Sequence, residues 1–62
     1  MRSEVVRRAR VAKGWTQRQL AEQVPTTAMV IVRMERGGEL FYAATIARVA
    51  AALGVPASKL LA

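Results

Sequence analysis

The sequence predicts an all-α domain of five short helices, and three observations support this fold class. Apolar residues recur every three or four positions in most segments, which is the period of an α-helix. Glycine or proline separates one segment from the next, as expected at helix ends. No segment alternates polar and apolar residues over a useful length, so no strand is predicted. A chain of 62 residues forms one domain, 1–62, with a small core.

The first two helices have clear boundary signals. We expect the first from about Ser3 to Lys13, with Gly14 just beyond it. Its buried side is predicted from residues at helical spacing: Val5, Ala9 and Ala12, with Val6 beside them. The second helix begins at "TQRQ", a capping-box pattern formed by Thr16 and Gln19. It closes before Pro25, because proline lacks a backbone N–H and clashes with the preceding turn.

The third helix is predicted to follow Thr27, a favoured N-cap, and to stop at Gly37. At about 100° per residue, one side of this helix faces the core. That side contains Thr27, Val30, Ile31 and Met34. The opposite side contains Ala28, Met29, Val32, Arg33 and Arg36. The helix therefore directs a methionine and a valine away from the core, beside two arginines, and this placement needs an explanation.

The last two helices supply the remaining core. The fourth runs from about Ala43 to Leu53 and stops at Gly54, and the fifth has Pro56 at its first position and a Leu60/Leu61 anchor. The predicted core residues are Leu20, Val24, Ile31, Met34, Ile46, Val49 and Leu53. Trp15 is expected to pack at the corner between the first two helices rather than to stack on a base.

The composition argues against an enzyme. The chain has no cysteine, histidine, aspartate or asparagine, and its only acids are four glutamates. Disulfides, thiolate metal sites and a Ser/His/Asp arrangement are therefore excluded. We expect no catalytic residue, no metal and no cofactor.

The charge points to a polyanionic partner. Ten Lys and Arg residues against four Glu give a net charge of +6, and the first thirteen residues are the most basic. Such an excess favours nucleic acid, although a solvated basic face would have the same charge. The most apolar run, "LFYAATIARVAAALGV", is too short to span a bilayer and contains Arg48. We therefore expect a cytoplasmic, nucleoid-associated protein.

The order of these features along the chain resembles that of a known protein family. The features that carry the resemblance are, in order, "WTQRQLAEQV", a short turn, a threonine N-cap, Ile31 shortly before Glu35, "ERG" and "LGVP". With them, the chain closely resembles the phage-repressor (Cro/repressor-type, XRE-like) helix-turn-helix family. The resemblance extends from Val6 to Leu61 and implies a lambda-repressor-like five-helix bundle. Its second and third helices would form the helix-turn-helix, with the third in the DNA major groove, in a protein that regulates transcription.

The resemblance also implies roles for residues. Gln17 would contact phosphate, and the base edges would face Ala28, Met29, Val32 and Arg33. Arg10 would form a structural ion pair with Glu35. Helix N-termini favour anions, so the expected phosphate contacts are Gln17, Arg18, Thr26, Thr27, Arg36 and Tyr42. Of Arg2, Arg7 and Arg8, only some are expected to approach phosphate.

Direct recognition of bases would use two kinds of contact. Arg33 is suited to guanine, because a guanidinium pairs with its O6 and N7 atoms. Ala28, Met29 and Val32 cannot hydrogen-bond a base, but they can pack on thymine methyl groups in the major groove. This explains the apolar residues on the outer side of the third helix.

Departures from the family leave other hypotheses open. Polar residues are usual where the chain has Ala28, Met29 and Val32, and Phe41–Tyr42 replaces Pro-Ser, which predicts exposure of Leu40 and Phe41. These changes suit an engineered recognition surface on a repressor scaffold. They also suit a protein-binding module, a dimer or antitoxin-like domain, that uses Met29, Val32 and Phe41. We expect a monomer, with a homodimer on a palindromic site as the alternative.

Overall fold

A computed structural model of the chain describes residues 1–61, and it contains five helices. They are α1 (Ser3–Ala12), α2 (Gln17–Gln23), α3 (Ala28–Arg36), α4 (Ala43–Leu53) and α5 (Ala57–Leu61). No strand occurs within residues 1–61, so the predicted all-α, five-helix fold is confirmed. Ala62, the last residue of the predicted domain, lies outside the described residues.

Local side-chain chemistry accounts for the helix starts. The Thr16 hydroxyl accepts the Gln19 backbone N–H at 3.0 Å, and the Thr16 N–H donates to Gln19 Oε1 at 2.8 Å. This reciprocal pair is a complete capping box. At α3, the Thr27 hydroxyl accepts the Val30 N–H at 3.4 Å. The sequence prediction of both caps is therefore confirmed.

Two helix boundaries differ slightly from prediction. Lys13 caps α1 instead of belonging to it. Pro56 lies one residue before α5, where its carbonyl accepts the Lys59 N–H at 3.0 Å. Pro56 therefore occupies the position that precedes the first helical residue, and its missing N–H still costs the helix nothing.

The core contains every predicted core residue and extends further at α1, α2, α4 and α5. It consists of Val6, Leu20, Ala21, Val24, Ile31, Met34, Ile46, Val49, Ala50, Leu53 and Leu60. The predicted buried side of α1 is observed for Val6, which is fully buried, and for Val5 and Ala9, which pack against the core, but not for Ala12, which is exposed. Helical spacing alone does not show how deeply each apolar residue of α1 is buried, because this depth also depends on how the five helices pack.

The turn between α2 and α3 is held from two sides. The Thr26 N–H donates to the Ala21 carbonyl at 2.7 Å, and the Arg48 guanidinium on α4 donates to the Pro25 carbonyl. Both contacts fix the angle between α2 and α3, which pack directly on each other. The outer side of α3 is thereby held in a defined orientation.

Candidate nucleic-acid interface

The outer side of α3 is partly apolar and partly cationic. Met29 is 58% exposed, and Arg33 and Arg36 are also exposed. Val32 is half-buried. Ala28 is half-buried as well and packs against the core, so its methyl group is less accessible than the helical spacing suggests. Met29 is therefore the most accessible apolar group on this side of α3.

Arg33, the expected guanine contact, is held by two residues of the loop after α3. Its Nε donates to Glu39 Oε1 at 3.0 Å, and its Nη2 donates to Glu39 Oε2. Its guanidinium carbon also lies 5.8 Å from the centre of the Phe41 ring, within cation–π range. The hydrogen bond to Glu39 raises the pKa of Arg33, and the hydrogen bond from Arg33 lowers the pKa of Glu39.

Sequence analysis did not identify this role of Glu39. The residue lies in a loop without helical periodicity, so no spacing rule relates it to Arg33. The loop does supply one hint, because opposite charges flank the Gly37–Gly38 pair. The expected exposure of the loop holds for Leu40, which is 93% exposed, but Phe41 is half-buried and packs against the core.

Arg10 and Glu35 lie together at the junction of α1, α2 and α3. Arg10 Nε is 2.6 Å from Glu35 Oε2, and Arg10 Nη2 donates to Glu35 Oε1 at 2.9 Å. Arg10 Nη1 also donates to the Trp15 carbonyl at 2.8 Å. The two charged side chains are only 13% and 6% exposed, and the hydrogen bonds to Glu35 raise the pKa of Arg10. Trp15 is half-buried beside this pair.

A cleft of about 580 Å³ lies between α1, the start of α2 and the outer side of α3. It is lined by Arg7, Arg10, Thr16, Gln17, Val32, Glu35 and Arg36. Gln17 Nε2 donates to Glu35 Oε1 at 3.2 Å, so this side chain is tied to the buried ion pair. Arg7, one of the three N-terminal arginines considered for phosphate contact, lines this cleft together with Gln17 and Arg36.

The other expected phosphate contacts are spread around the cleft and the helix starts. Arg18 and Thr27 are exposed, Thr26 is half-buried, and Tyr42 is 86% exposed just before α4. The first N–H groups of α3 have no acceptor within the helix, apart from Val30, which Thr27 caps. The start of α3 therefore presents unpaired backbone donors beside exposed polar side chains.

The described part of the chain contains neither a candidate metal site nor a membrane-spanning helix. Residues 1–61 contain no group of three or more acidic, histidine or cysteine side chains that could hold a metal ion. No helix among these residues is long and apolar enough to cross a membrane.

Comparisons with known proteins agree with this geometry. A family model described as a helix-turn-helix domain matches residues 3–62. No curated protein matches the chain significantly. Among solved structures, the chain is similar to the crystal structure of the hypothetical transcription factor NHTF from Neisseria, with 38% sequence identity and a TM-score of 0.84. The match covers 92% of this chain and 66% of that one, so this chain spans just under two thirds of that protein.

The family match extends over almost the whole chain, and the structural match preserves the arrangement of the helices. Together they show a helix-turn-helix domain of a DNA-binding type. The chain belongs to the XRE-like, Cro/repressor-type family of helix-turn-helix DNA-binding domains.

Proposed function

We propose that the chain binds a specific double-stranded DNA site with α3 in the major groove, as a transcription regulator. One observation carries the proposal: α3 exposes Met29 between the start of the helix and two exposed arginines, on a chain with a net charge of +6. An α-helix with its side chains is about 10–12 Å in diameter, and the major groove is about 12 Å wide. The exposed side of α3 therefore has a suitable size for the groove.

Base contacts would come from the outer side of α3. Arg33 would donate to guanine O6 and N7, the commonest specific contact of arginine in the major groove. Met29 and Val32 would pack on thymine methyl groups, with a smaller contribution from the half-buried Ala28. The expected site therefore combines at least one guanine near Arg33 with thymines near Met29.

Phosphate contacts would orient the domain on the duplex. They would come from the starts of α2 and α3, from the end of α3 and from the loop before α4, through Gln17, Arg18, Thr26, Thr27, Arg36 and Tyr42. Arg7 joins this group, because it lines the same cleft as Gln17 and Arg36. Such contacts raise the affinity for every sequence and carry no base preference themselves.

A second candidate function is a protein-interaction module that uses Met29, Val32 and Phe41. The exposure of Met29 and of the neighbouring loop residue Leu40 favours it. The placement of Phe41 argues against it, since this ring is half-buried and covered by Arg33. A dry interface would also have to desolvate Arg33 and Arg36. DNA binding therefore accounts for more of the surface.

We propose that the domain acts as a monomer, with a homodimer on a palindromic site as the alternative. The exposed large apolar side chains are spread over α1, α3, α5 and the loop before α4; they are Val11, Met29, Leu61, Leu40 and Tyr42. A redesigned recognition surface on this scaffold would use the same base contacts, so the proposal does not depend on the origin of α3.

The test is a selection from randomised duplex DNA, made with the wild-type chain and the variants Arg33→Ala and Met29→Ser. We expect a defined motif that loses its guanine preference in the first variant and a thymine preference in the second. Glu22→Gln, an exposed change on α2, serves as the control and should keep the motif. Weak binding without a motif in any variant would contradict the proposal and leave a protein partner as the explanation for Met29.

A further inference from the structure

Glu39 holds one edge of the Arg33 guanidinium and leaves another edge open. An arginine side chain has five N–H donors in a planar fork. The Nε and Nη2 atoms, which form the side edge, donate to the two carboxylate oxygens of Glu39. Among residues 1–61, the Arg33 side chain makes no other hydrogen bond. The end edge, formed by Nη1 and Nη2, therefore keeps both nitrogens as donors for another partner.

Phe41 also restricts the movement of the Arg33 guanidinium. The Arg33 guanidinium lies 5.8 Å from the Phe41 ring centre, and the ring itself is anchored by packing on the core. Glu39 thus holds one edge of the guanidinium, and the Phe41 ring lies within cation–π distance of it. These contacts give the Nη1 and Nη2 donors of the flexible Arg33 side chain a defined direction, although the side chain remains 45% exposed.

We propose that Glu39 is a positioning residue that makes Arg33 selective for guanine. The inference rests on the proposed function, since it concerns the base contact assigned to Arg33. Guanine offers two acceptors in the major groove, O6 and N7, which match a two-donor edge. A guanidinium fixed by Glu39 presents its end edge to this pair. Without Glu39, Arg33 rotates and reaches phosphate or other acceptors as readily as guanine.

The charge of Glu39 lowers the affinity for DNA, whereas its positioning role raises the selectivity for guanine. A carboxylate close to the DNA backbone repels phosphate and neutralises Arg33, so it weakens binding to every sequence. Removal of Glu39 is therefore expected to tighten binding in general and to reduce discrimination at one base. A residue with a charge effect alone would change the affinity for all duplexes by the same factor.

The experiment compares dissociation constants for two duplexes, the selected site and the same site with the Arg33-facing guanine replaced by adenine. The proteins are the wild-type chain, Glu39→Gln, Glu39→Ala, Arg33→Ala and the charge control Glu22→Gln. We expect both Glu39 variants to bind the adenine duplex more tightly than the wild type does. The guanine-to-adenine selectivity should fall by about two- to tenfold, the range that corresponds to immobilising one long side chain. The fall should be larger for Ala than for Gln, which can still accept one hydrogen bond.

Three outcomes separate the possibilities. A fall in selectivity in the Glu39 variants, with none in Glu22→Gln, supports the positioning role. Unchanged or increased selectivity in the Glu39 variants, with selectivity lost in Arg33→Ala, overturns this role but leaves the Arg33 base contact intact. Guanine selectivity that persists in Arg33→Ala overturns the base contact itself and the positioning role with it. Both side chains of the ion pair are exposed, so the variants should fold, and circular dichroism checks this.

Discussion

The domain contains two arginine–glutamate pairs of similar geometry in very different surroundings. Arg10 and Glu35 are 13% and 6% exposed and join α1 to α3, and Arg10 also binds the Trp15 carbonyl. Arg33 and Glu39 are 45% and 36% exposed and join α3 to the following loop. In both pairs, the arginine uses Nε and Nη2 to hold both carboxylate oxygens. The pairs therefore share the bidentate contact and differ in burial and in the additional partners of the buried pair, the Trp15 carbonyl and Gln17.

This difference in burial gives the two pairs different roles, the buried pair in stability and the exposed pair in recognition. Water is largely excluded from the Arg10–Glu35 pair, so the loss of one partner leaves a charge that is neither solvated nor neutralised. Water reaches the Arg33–Glu39 pair, which therefore contributes little to folding. An exposed pair can instead control the direction of a side chain that contacts a ligand. The same chemistry thus serves the fold in one place and, by our proposal, DNA recognition in the other.

The largest expected effect is on the buried pair. Arg10→Met should destabilise the domain by about 3 kcal/mol, because Glu35 is left buried without its cation. For a domain of this size, that is a large part of the total stability. Urea unfolding followed by circular dichroism measures it. The double variant Arg10→Met/Glu35→Leu should recover most of the loss, and failure to recover would show that the Trp15 carbonyl contact matters more than the charge.

The second effect concerns the exposed pair. Arg33→Ala should leave the urea midpoint nearly unchanged, because both partners remain well solvated. The same substitution should reduce the preference for guanine over adenine at one position by roughly five- to 150-fold, the value of a bidentate base contact. Fluorescence anisotropy with the two duplexes measures this preference. A large loss of stability without a change in preference would reverse the roles that we assign to the two pairs.

A third, smaller effect tests the apolar part of the same surface. Replacing the thymine opposite Met29 by deoxyuridine removes only the methyl group, and should weaken wild-type binding by about two- to fourfold. The Met29→Ser variant should bind the two duplexes equally. An equal loss in both proteins would mean that the methyl group acts through DNA shape and not through contact with Met29.

Arg36 provides a comparison without an acidic partner, since no ion pair involves it within residues 1–61. If it contacts phosphate, Arg36→Ala should make the slope of log K against log salt less steep by about 0.9. The base preferences of the selected motif should not change. An altered motif would place Arg36 against a base edge instead.

The smallest effect is the pH dependence of the exposed pair. The hydrogen bond from Arg33 lowers the pKa of Glu39 below the usual glutamate value of 4.5. A carboxyl group with a lowered pKa stabilises the folded state above its unfolded pKa, and this contribution disappears as the pH falls through the lowered value. The difference in thermal midpoint between the wild type and Glu39→Gln should therefore be constant near neutral pH and shrink below pH 4.5. A difference that grows on acidification would contradict this assignment.

The sequence predicts helices better than it predicts loop contacts. Capping boxes, glycine stops and a 3.6-residue period are local, so α4 was predicted with its observed bounds and the Thr16 and Thr27 caps were identified. Ala12, at the end of α1, is exposed although its spacing predicts burial, because the depth of burial depends on how the other helices pack. Glu39 was missed as a partner of Arg33, since the loop geometry that joins them follows from the tertiary structure.

The most direct test of the central claim is a nuclear magnetic resonance titration of the ¹⁵N-labelled chain with its selected duplex. Large shifts are expected for the backbone amides at the start of α3 and for the Arg33 side chain. The Nε–H signal of Arg10 should shift much less than that of Arg33, because Arg10 is only 13% exposed and stays bonded to Glu35. Shifts confined to the surface around Leu40, with α3 and Arg33 unaffected, would contradict the assignment of α3 as the recognition helix.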